Sequence, residues 1–145
     1  MAYLSRKLEL LPETFAICRL EGDAPVPDWA TRGPFCSVTR TATELSVVCP
    51  DASVPGDVKN NSGWSVLMVG GPLDLGLTGV LASLTGPLAR EGISVFALST
   101  YDTDYLLVKQ EQLEQAIRLL AAEGWDVPRG PRARGESKSA PKARR

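Results

Sequence analysis

The feature that most constrains this chain is an internal repeat. Shifting the sequence by 61 residues places Phe35 on Phe96, Thr39 on Thr100, Leu45 on Leu106 and Val47 on Val108. The same shift places Gly63-Trp64 on Gly124-Trp125, with no gap between the anchors. Self-similarity at a fixed spacing points to two copies of one supersecondary unit. The second copy is the easier to read. Residues 65–69 are an apolar run with a Gly-Gly-Pro exit, the pattern of a strand and a turn. Residues 78–91 predict a helix, with Leu77, Val80 or Leu81, Leu84 and Leu88 on one face and Gly92 just past its end. Pro87 inside that helix should bend it or remove one hydrogen bond. Residues 93–99 and 104–109 are strand-like, 111–123 predict a second helix with Leu113, Ala116, Ile117 and Leu120 inward, and 125–127 can add a final strand.

The resulting order, β-α-β-β-α-β, is the split βαβ or ferredoxin-like arrangement. The first copy repeats it with reduced helices. Residues 15–20, 35–40 and 44–49 read as strands; 25–31 have room for one or two helical turns; 51–57 contain Pro55 and Gly56 and hold a short helix at best. The strand at 64–69 closes the first unit and opens the second. The expected fold is therefore α+β: two ferredoxin-like units sharing a strand, at 10–63 and 64–127.

Composition narrows the function classes. The longest apolar runs fall far short of the ~20 residues that span a membrane. Charges interrupt the apolar N-terminus, so no secretory leader is expected. Cys18, Cys36 and Cys49 form no CxxC pair, which fits a reducing compartment and a cytoplasmic protein. The chain has no histidine, which excludes Ser-His-Asp and Cys-His catalysis and every His-containing zinc site; no metal or cofactor is expected. Residues 128–145 carry seven Lys/Arg against one Glu, leaving nine Lys/Arg and sixteen Asp/Glu in residues 1–127. This basic segment is expected to be a disordered, solubilising tail, with no nucleic-acid-binding fold behind it.

The candidate site lies in residues 72–109. The turn Ser99-Thr100-Tyr101-Asp102-Thr103-Asp104 packs hydroxyls and two carboxylates between apolar runs. Before the helix, Asp74-Leu75-Gly76-Leu77-Thr78-Gly79 offers backbone N–H groups near a helix start, where the dipole favours a carboxylate. Gly76 and Gly79 allow close backbone approach. Asp104 opens the strand after the turn and suits an ammonium or cationic side chain, with Thr100 and Tyr101 beside it. Other roles are open to these residues: Asp74 suits a helix N-cap, Asp102 and Thr103 suit a hairpin turn, and Trp64 and Trp125 suit core packing.

Several phrases resemble the ACT domain family: Gly79-Val80-Leu81-Ala82, Leu88-Ala89 and Gly92-Ile93-Ser94-Val95, with FCSVTRT at 35–41, ELSVVCP at 44–50 and ISVFALSTYDTDYLLVK at 93–109. The set is similar to stand-alone bacterial proteins with two ACT units and to arginine sensors of the CASTOR type, over roughly residues 10–127. The resemblance implies a small regulatory module that binds an amino acid, with Asp104 in the place of the acid that holds the ligand in those sensors. The pattern departs at Gly76, where many ACT domains carry an Asp; the nearest acid here is Asp74.

The ligand-binding residues expected are thus Asp74, Leu75, Gly76, Leu77, Thr78, Thr100, Tyr101 and Asp104, at a seam between the two units or between two chains. The expected partners are a free amino acid and either a second copy in a homodimer or a regulated protein. An interaction scaffold that keeps the fold without the ligand is the alternative. Asp102 and Asp104 could share a strand face as a carboxylate pair, but no histidine assists them and GGPLDLG is neither a dinucleotide fingerprint nor a P-loop. No enzymatic activity is expected.

Overall fold

The structure, a computed structural model, describes residues 5–127; the tail expected at 128–145 lies outside the described residues. Six strands, two α-helices and three short 3₁₀ turns follow in the order β1 (Leu8–Glu21), Asp28–Thr31, β2 (Ser37–Arg40), β3 (Glu44–Pro50), Asp51–Ser53, β4 (Asn60–Val69), α1 (Val80–Arg90), β5 (Val95–Ser99), β6 (Asp104–Lys109), Gln110–Gln112 and α2 (Leu113–Ala122). The chain is a mixed α+β protein. It divides into two compact units, one of Glu13–Trp64 and one that joins residues 5–12 to 65–127.

β1 is the largest departure from the sequence expectation, which began this strand at residue 15. Even-numbered side chains are buried toward both ends of the strand, Leu8 and Leu10 and then Ala16 and Cys18, with Phe15 buried as well. A period of two is what a strand requires. Pro12, Glu13 and Thr14 interrupt the apolar pattern without changing its parity, so the strand passes through them. β4 likewise starts at Asn60, ahead of its apolar run. Both strands contribute residues to both units.

In the unit of Glu13–Trp64 the strand order is β2-β3-β1-β4. β1 and β3 are antiparallel with Cys18 opposite Val47, and β2 and β3 with Val38 opposite Val47. The two crossovers shrink to the 3₁₀ turns Asp28–Thr31 and Asp51–Ser53, because Pro25, Pro27, Pro55 and Gly56 crowd the places where longer helices would run. Ala16, Cys18, Ala30, Leu45, Val47 and Cys49 form its core. Phe15 and Phe35 meet edge to face, 5.6 Å between ring centres. Gly22 allows a close approach: a Cβ there would lie 2.6 Å from the Ala42 carbonyl oxygen. The three cysteines are free thiols. Burial pushes the Cys49 thiol up to about 12, reinforced by the neighbouring Cys18. Burial also raises Cys18, offset in part by its hydrogen bond with Cys49.

In the second unit the order is β1-β4-β6-β5, with β5 and β6 antiparallel and Ser99 opposite Asp104. Leu67 and Val69 of β4, Leu106 and Val108 of β6, and Leu8 and Leu10 of β1 face α1 and α2, which contribute Val80, Leu84, Leu88, Leu113, Ala116, Ile117 and Leu120. α1 starts two residues later than its apolar pattern suggests, because Gly79 adopts φ +81° and turns the chain immediately before it. It runs through Pro87 to Arg90, so the Ser83 carbonyl is the one left without an i+4 donor. The expected final strand at 125–127 is a single parallel bridge from Asp126 to Lys7. The place beside β4 is taken by β1, and the Trp125 ring is buried under Arg6, whose guanidinium carbon lies 5.4 Å from it. Trp64 is buried as well.

The repeat does not keep register. β5 and β6 close at Ser99–Asp104, which a 61-residue shift maps to 38 and 43, whereas β2 and β3 close at Arg40–Leu45. The first turn therefore falls two residues later in its repeat.

Two outcomes test this packing. Leu84 is fully buried between the sheet and α2, so Leu84→Ala should lower the unfolding free energy by about 2–5 kcal/mol in urea; a loss below ~1 kcal/mol would contradict it. The Cys49 thiol keeps its proton in the folded chain up to about pH 12 but releases it near 9.0 once exposed. Its contribution to stability is thus intact below pH 9 and is lost as the pH rises toward 12. Urea midpoints from pH 8 to 11 should fall, and Cys49→Ala should flatten that slope.

Candidate functional site

β4 ends at Val69 and the chain turns through Gly70, Gly71 and Pro72 before reaching α1. Two hydrogen bonds fasten this stretch to the β5–β6 turn. The Thr103 hydroxyl donates to the Val69 carbonyl at 2.6 Å, and the Leu73 N–H donates to the Asp102 carbonyl at 2.6 Å. Thr103 is buried. The turn is also held from within: the Thr100 N–H donates to the Thr103 carbonyl at 2.8 Å, and the Thr103 N–H donates to the Thr100 hydroxyl at 3.3 Å. Hydroxyls in this turn thus do backbone work, as Ser and Thr do in tight turns.

The two fastened segments enclose a cavity of about 200 Å³. One wall is Leu73, Asp74, Leu75, Leu77 and Val80; the other is Ser99 to Asp104 in full. All of these residues belong to the unit that contains 65–127, so the cavity is built within one unit. Of the residues singled out in the sequence, Asp74, Leu75, Leu77, Thr100, Tyr101 and Asp104 line it together; Gly76 and Thr78 do not. Leu73, Val80, Ser99, Asp102 and Thr103 also line it. Strand pairing could have signalled Ser99, since it sits directly across from Asp104.

The cavity is acidic. Among the described residues Asp74, Asp102 and Asp104 line it and no Lys or Arg does. Asp104 uses one carboxylate oxygen to accept the Ser99 hydroxyl at 2.7 Å. Asp74 is not the cap of α1. Its Oδ1 accepts the Gly76 N–H at 2.8 Å and its carbonyl accepts the Leu77 N–H at 2.9 Å, an Asx turn that shapes the loop. The N–H groups of Gly76 and Leu77 are therefore engaged inside the loop. The N–H groups without a partner in the loop or a side-chain cap lie at the start of α1. No side chain caps it, and its first intrahelical bond runs from the Ser83 N–H to the Gly79 carbonyl at 3.0 Å. The N–H groups of Val80, Leu81 and Ala82 precede that ladder at the positive end of the dipole. On the rim, Tyr101 is 81% and Leu75 70% exposed, far above the other large apolar side chains among the described residues.

The corresponding hairpin of the first unit is built differently. Its hairpin turn is braced by two guanidiniums, Arg19 donating to the Thr43 carbonyl at 2.9 Å and Arg40 to the Gly22 carbonyl. A separate cavity of about 510 Å³ is lined by Glu13, Thr14, Gly33 and residues 50–53. Its central acid, Asp51, accepts the Thr14 hydroxyl at 2.8 Å and the Gly63 N–H at 3.3 Å through one oxygen, which is a structural role. Among the described residues no group of three or more Cys, Asp or Glu could hold a metal ion, and no helix is long and apolar enough to cross a membrane.

Comparison with known proteins agrees with this architecture. The ACT domain model matches residues 60–122, and a model of an N-terminal domain matches 13–57. The solved structure of an Agrobacterium tumefaciens protein superimposes with a TM-score of 0.80 at 40% identity, covering 84% of this chain and 91% of that one. The human protein CASTOR3P is 31% identical over 115 residues, 68% of this chain and 71% of its own length. The cytosolic arginine sensor for mTORC1 subunit 1 of Bos taurus is 40% identical over 65 residues, 41% of this chain, and this chain covers only 20% of that sensor. In sequence and in fold, this chain belongs to the ACT domain family.

Proposed function

We propose that this chain is a regulatory protein without catalytic activity, and that the cavity between the α1 approach and the β5–β6 turn binds a free amino acid. The observation that carries this reading is the polarity of the cavity. Among the described residues three carboxylates and no cation stand on its walls, and Val80, the first residue of the uncapped α1, lines it too. An amino acid matches both ends. Its ammonium, or a cationic side chain, pairs with the carboxylates of Asp104, Asp102 and Asp74, and its carboxylate takes the N–H groups at the α1 start. The cavity is smaller than the ~300–1,000 Å³ typical of sites for drug-sized ligands, which suits a ligand of this size. Tyr101 and Leu75 would then cover an aliphatic stem. A carboxylate pair for acid–base catalysis fits less well, because Asp104 already accepts the Ser99 hydroxyl.

On this reading the chain carries two ACT-type units, 10–63 and 64–127, of which only the second keeps a ligand site. Its response passes to a regulated protein or to a second copy of the chain, in the cytoplasm. The name of the bovine relative makes arginine the first amino acid to try.

The test is a set of thermal melts with each of the twenty amino acids. A ligand at a hundred times its dissociation constant adds about 2.7 kcal/mol, which for a chain of this size raises Tm by roughly 5–10 °C. Asp104→Ala should abolish that rise while leaving the ligand-free Tm within about a degree or two, as for a substitution at a partly exposed site. No rise with any amino acid at millimolar concentration would overturn the binding claim and leave the ligand-free scaffold.

A further inference from the structure

All three cysteines belong to the unit of Glu13–Trp64. Cys49 is on β3, which lies between β2 and β1; Cys18 is on β1, and Cys36 immediately precedes β2. Side chains two apart on a strand share a face. Cys18, Val47 and Cys49 form one core, and Val38 and Cys36 both pack against it, so the three thiols stand on one face of the sheet.

The ladder decides which of them can be joined. β2 and β3 pair with Val38 opposite Val47 and Ser37 opposite Val48. One step further along that register, Cys36 comes opposite Cys49. Directly opposed residues of an antiparallel pair have Cα atoms ~4.5 or ~5.5 Å apart, within the ~4.4–6.8 Å that a disulfide spans. Cys18 is opposite Val47, and Ala16 is opposite Cys49. Cys18 and Cys49 are therefore diagonal neighbours, ~7–8 Å apart at Cα. Their thiols share a hydrogen bond, but their backbones are too far apart for a covalent bridge. The closeness of Cys36 is felt at Cys49 too: burial raises that thiol most, and the charges of Cys18 and then Cys36 add to the rise.

We propose that Cys36 and Cys49 form a reversible oxidation site that reacts with a hydroperoxide and closes a disulfide between β2 and β3. Exposure sets the order of the steps. Cys36 is partly exposed, whereas Cys18 and Cys49 are buried. The thiolate is the nucleophile, so the Cys36 sulfur, its proton lost to solvent, attacks the peroxide oxygen. The O–O bond breaks, and the departing hydroxide or alkoxide takes up a proton. The Cys49 sulfur then attacks the Cys36 sulfenic sulfur. The S–O bond breaks, and the departing hydroxide takes the Cys49 proton and leaves as water. The two thiols have lost two electrons and two protons, and the peroxide has become water and a second water or an alcohol. A thiol reductant reopens the bond by exchange. Where thiols are kept reduced, a disulfide of this kind is transient and serves redox sensing. The site lies outside the unit that holds the amino-acid cavity and does not depend on it.

The test is hydrogen peroxide treatment of the full, folded chain, then alkylation of the remaining thiols, trypsin and mass spectrometry. Cleavage after Lys and Arg puts the cysteines on separate peptides, 8–19, 33–40 and 41–59. The expected product is 33–40 joined to 41–59 with the loss of two hydrogens, Cys18 alkylated, and the link removed by dithiothreitol. Cys18→Ala should form the same link, and Cys36→Ala should form none. In urea, where the ladder is gone, all three pairings should appear. In the folded chain, a link that uses Cys18, a mixture of the three pairings, links between chains only, Cys36 oxidised without a link, or three unreacted thiols would overturn the proposal. The amino-acid melts leave these readouts untouched, so the two readings fail separately.

Discussion

The candidate site depends on one buried hydrogen bond, from the Thr103 hydroxyl to the Val69 carbonyl. It joins the tip of the β5–β6 hairpin to the end of β4, and with the Leu73–Asp102 bond it sets the spacing of the two cavity walls. The Val69 side chain is fully buried in the core below it. A carbonyl there without a donor would cost about 1–3 kcal/mol. The turn is polar because the backbone needs these hydroxyls, and the carboxylates are carried on a turn whose shape is already fixed.

That division of labour separates structural from available groups. Thr100 and Thr103 close the turn, and Asp74 shapes the loop with one oxygen and its carbonyl. Asp102 supplies only its carbonyl to the frame, and Asp104 bonds a neighbour with one oxygen. Val80, at the uncapped start of α1, lines the same cavity as these acids. On the proposed reading a zwitterion would use the carboxylates at one end and the helix-start N–H groups at the other, with no proton transfer.

Much of this was legible in the sequence. The apolar periods gave both helices and the hairpins, and the polar turn and the Asp74 loop drew attention as a pair; the structure brings them to one cavity. The rest was hidden for physical reasons. Pro12 masked the first half of β1, because the parity that carries the strand through it is visible only when both flanks are counted together. The repeat suggested equivalent hairpins, yet their closing pairs differ by two residues, a register that anchors at matching positions do not encode. Asp74 resembled a cap, but Gly79 at φ +81° separates it from α1. Ser99 and Val80 reached the cavity through strand pairing and helix start, which composition does not show.

The most direct test of the account is an amide NMR titration with the amino acid that gives the largest rise in the melts. The account predicts that Val80, Leu81 and Ala82 shift together with Ser99 to Asp104, along one binding curve. Shifts centred instead on Glu13, Gly33 and Asp51, or a response in the turn with none at the α1 start, would contradict it.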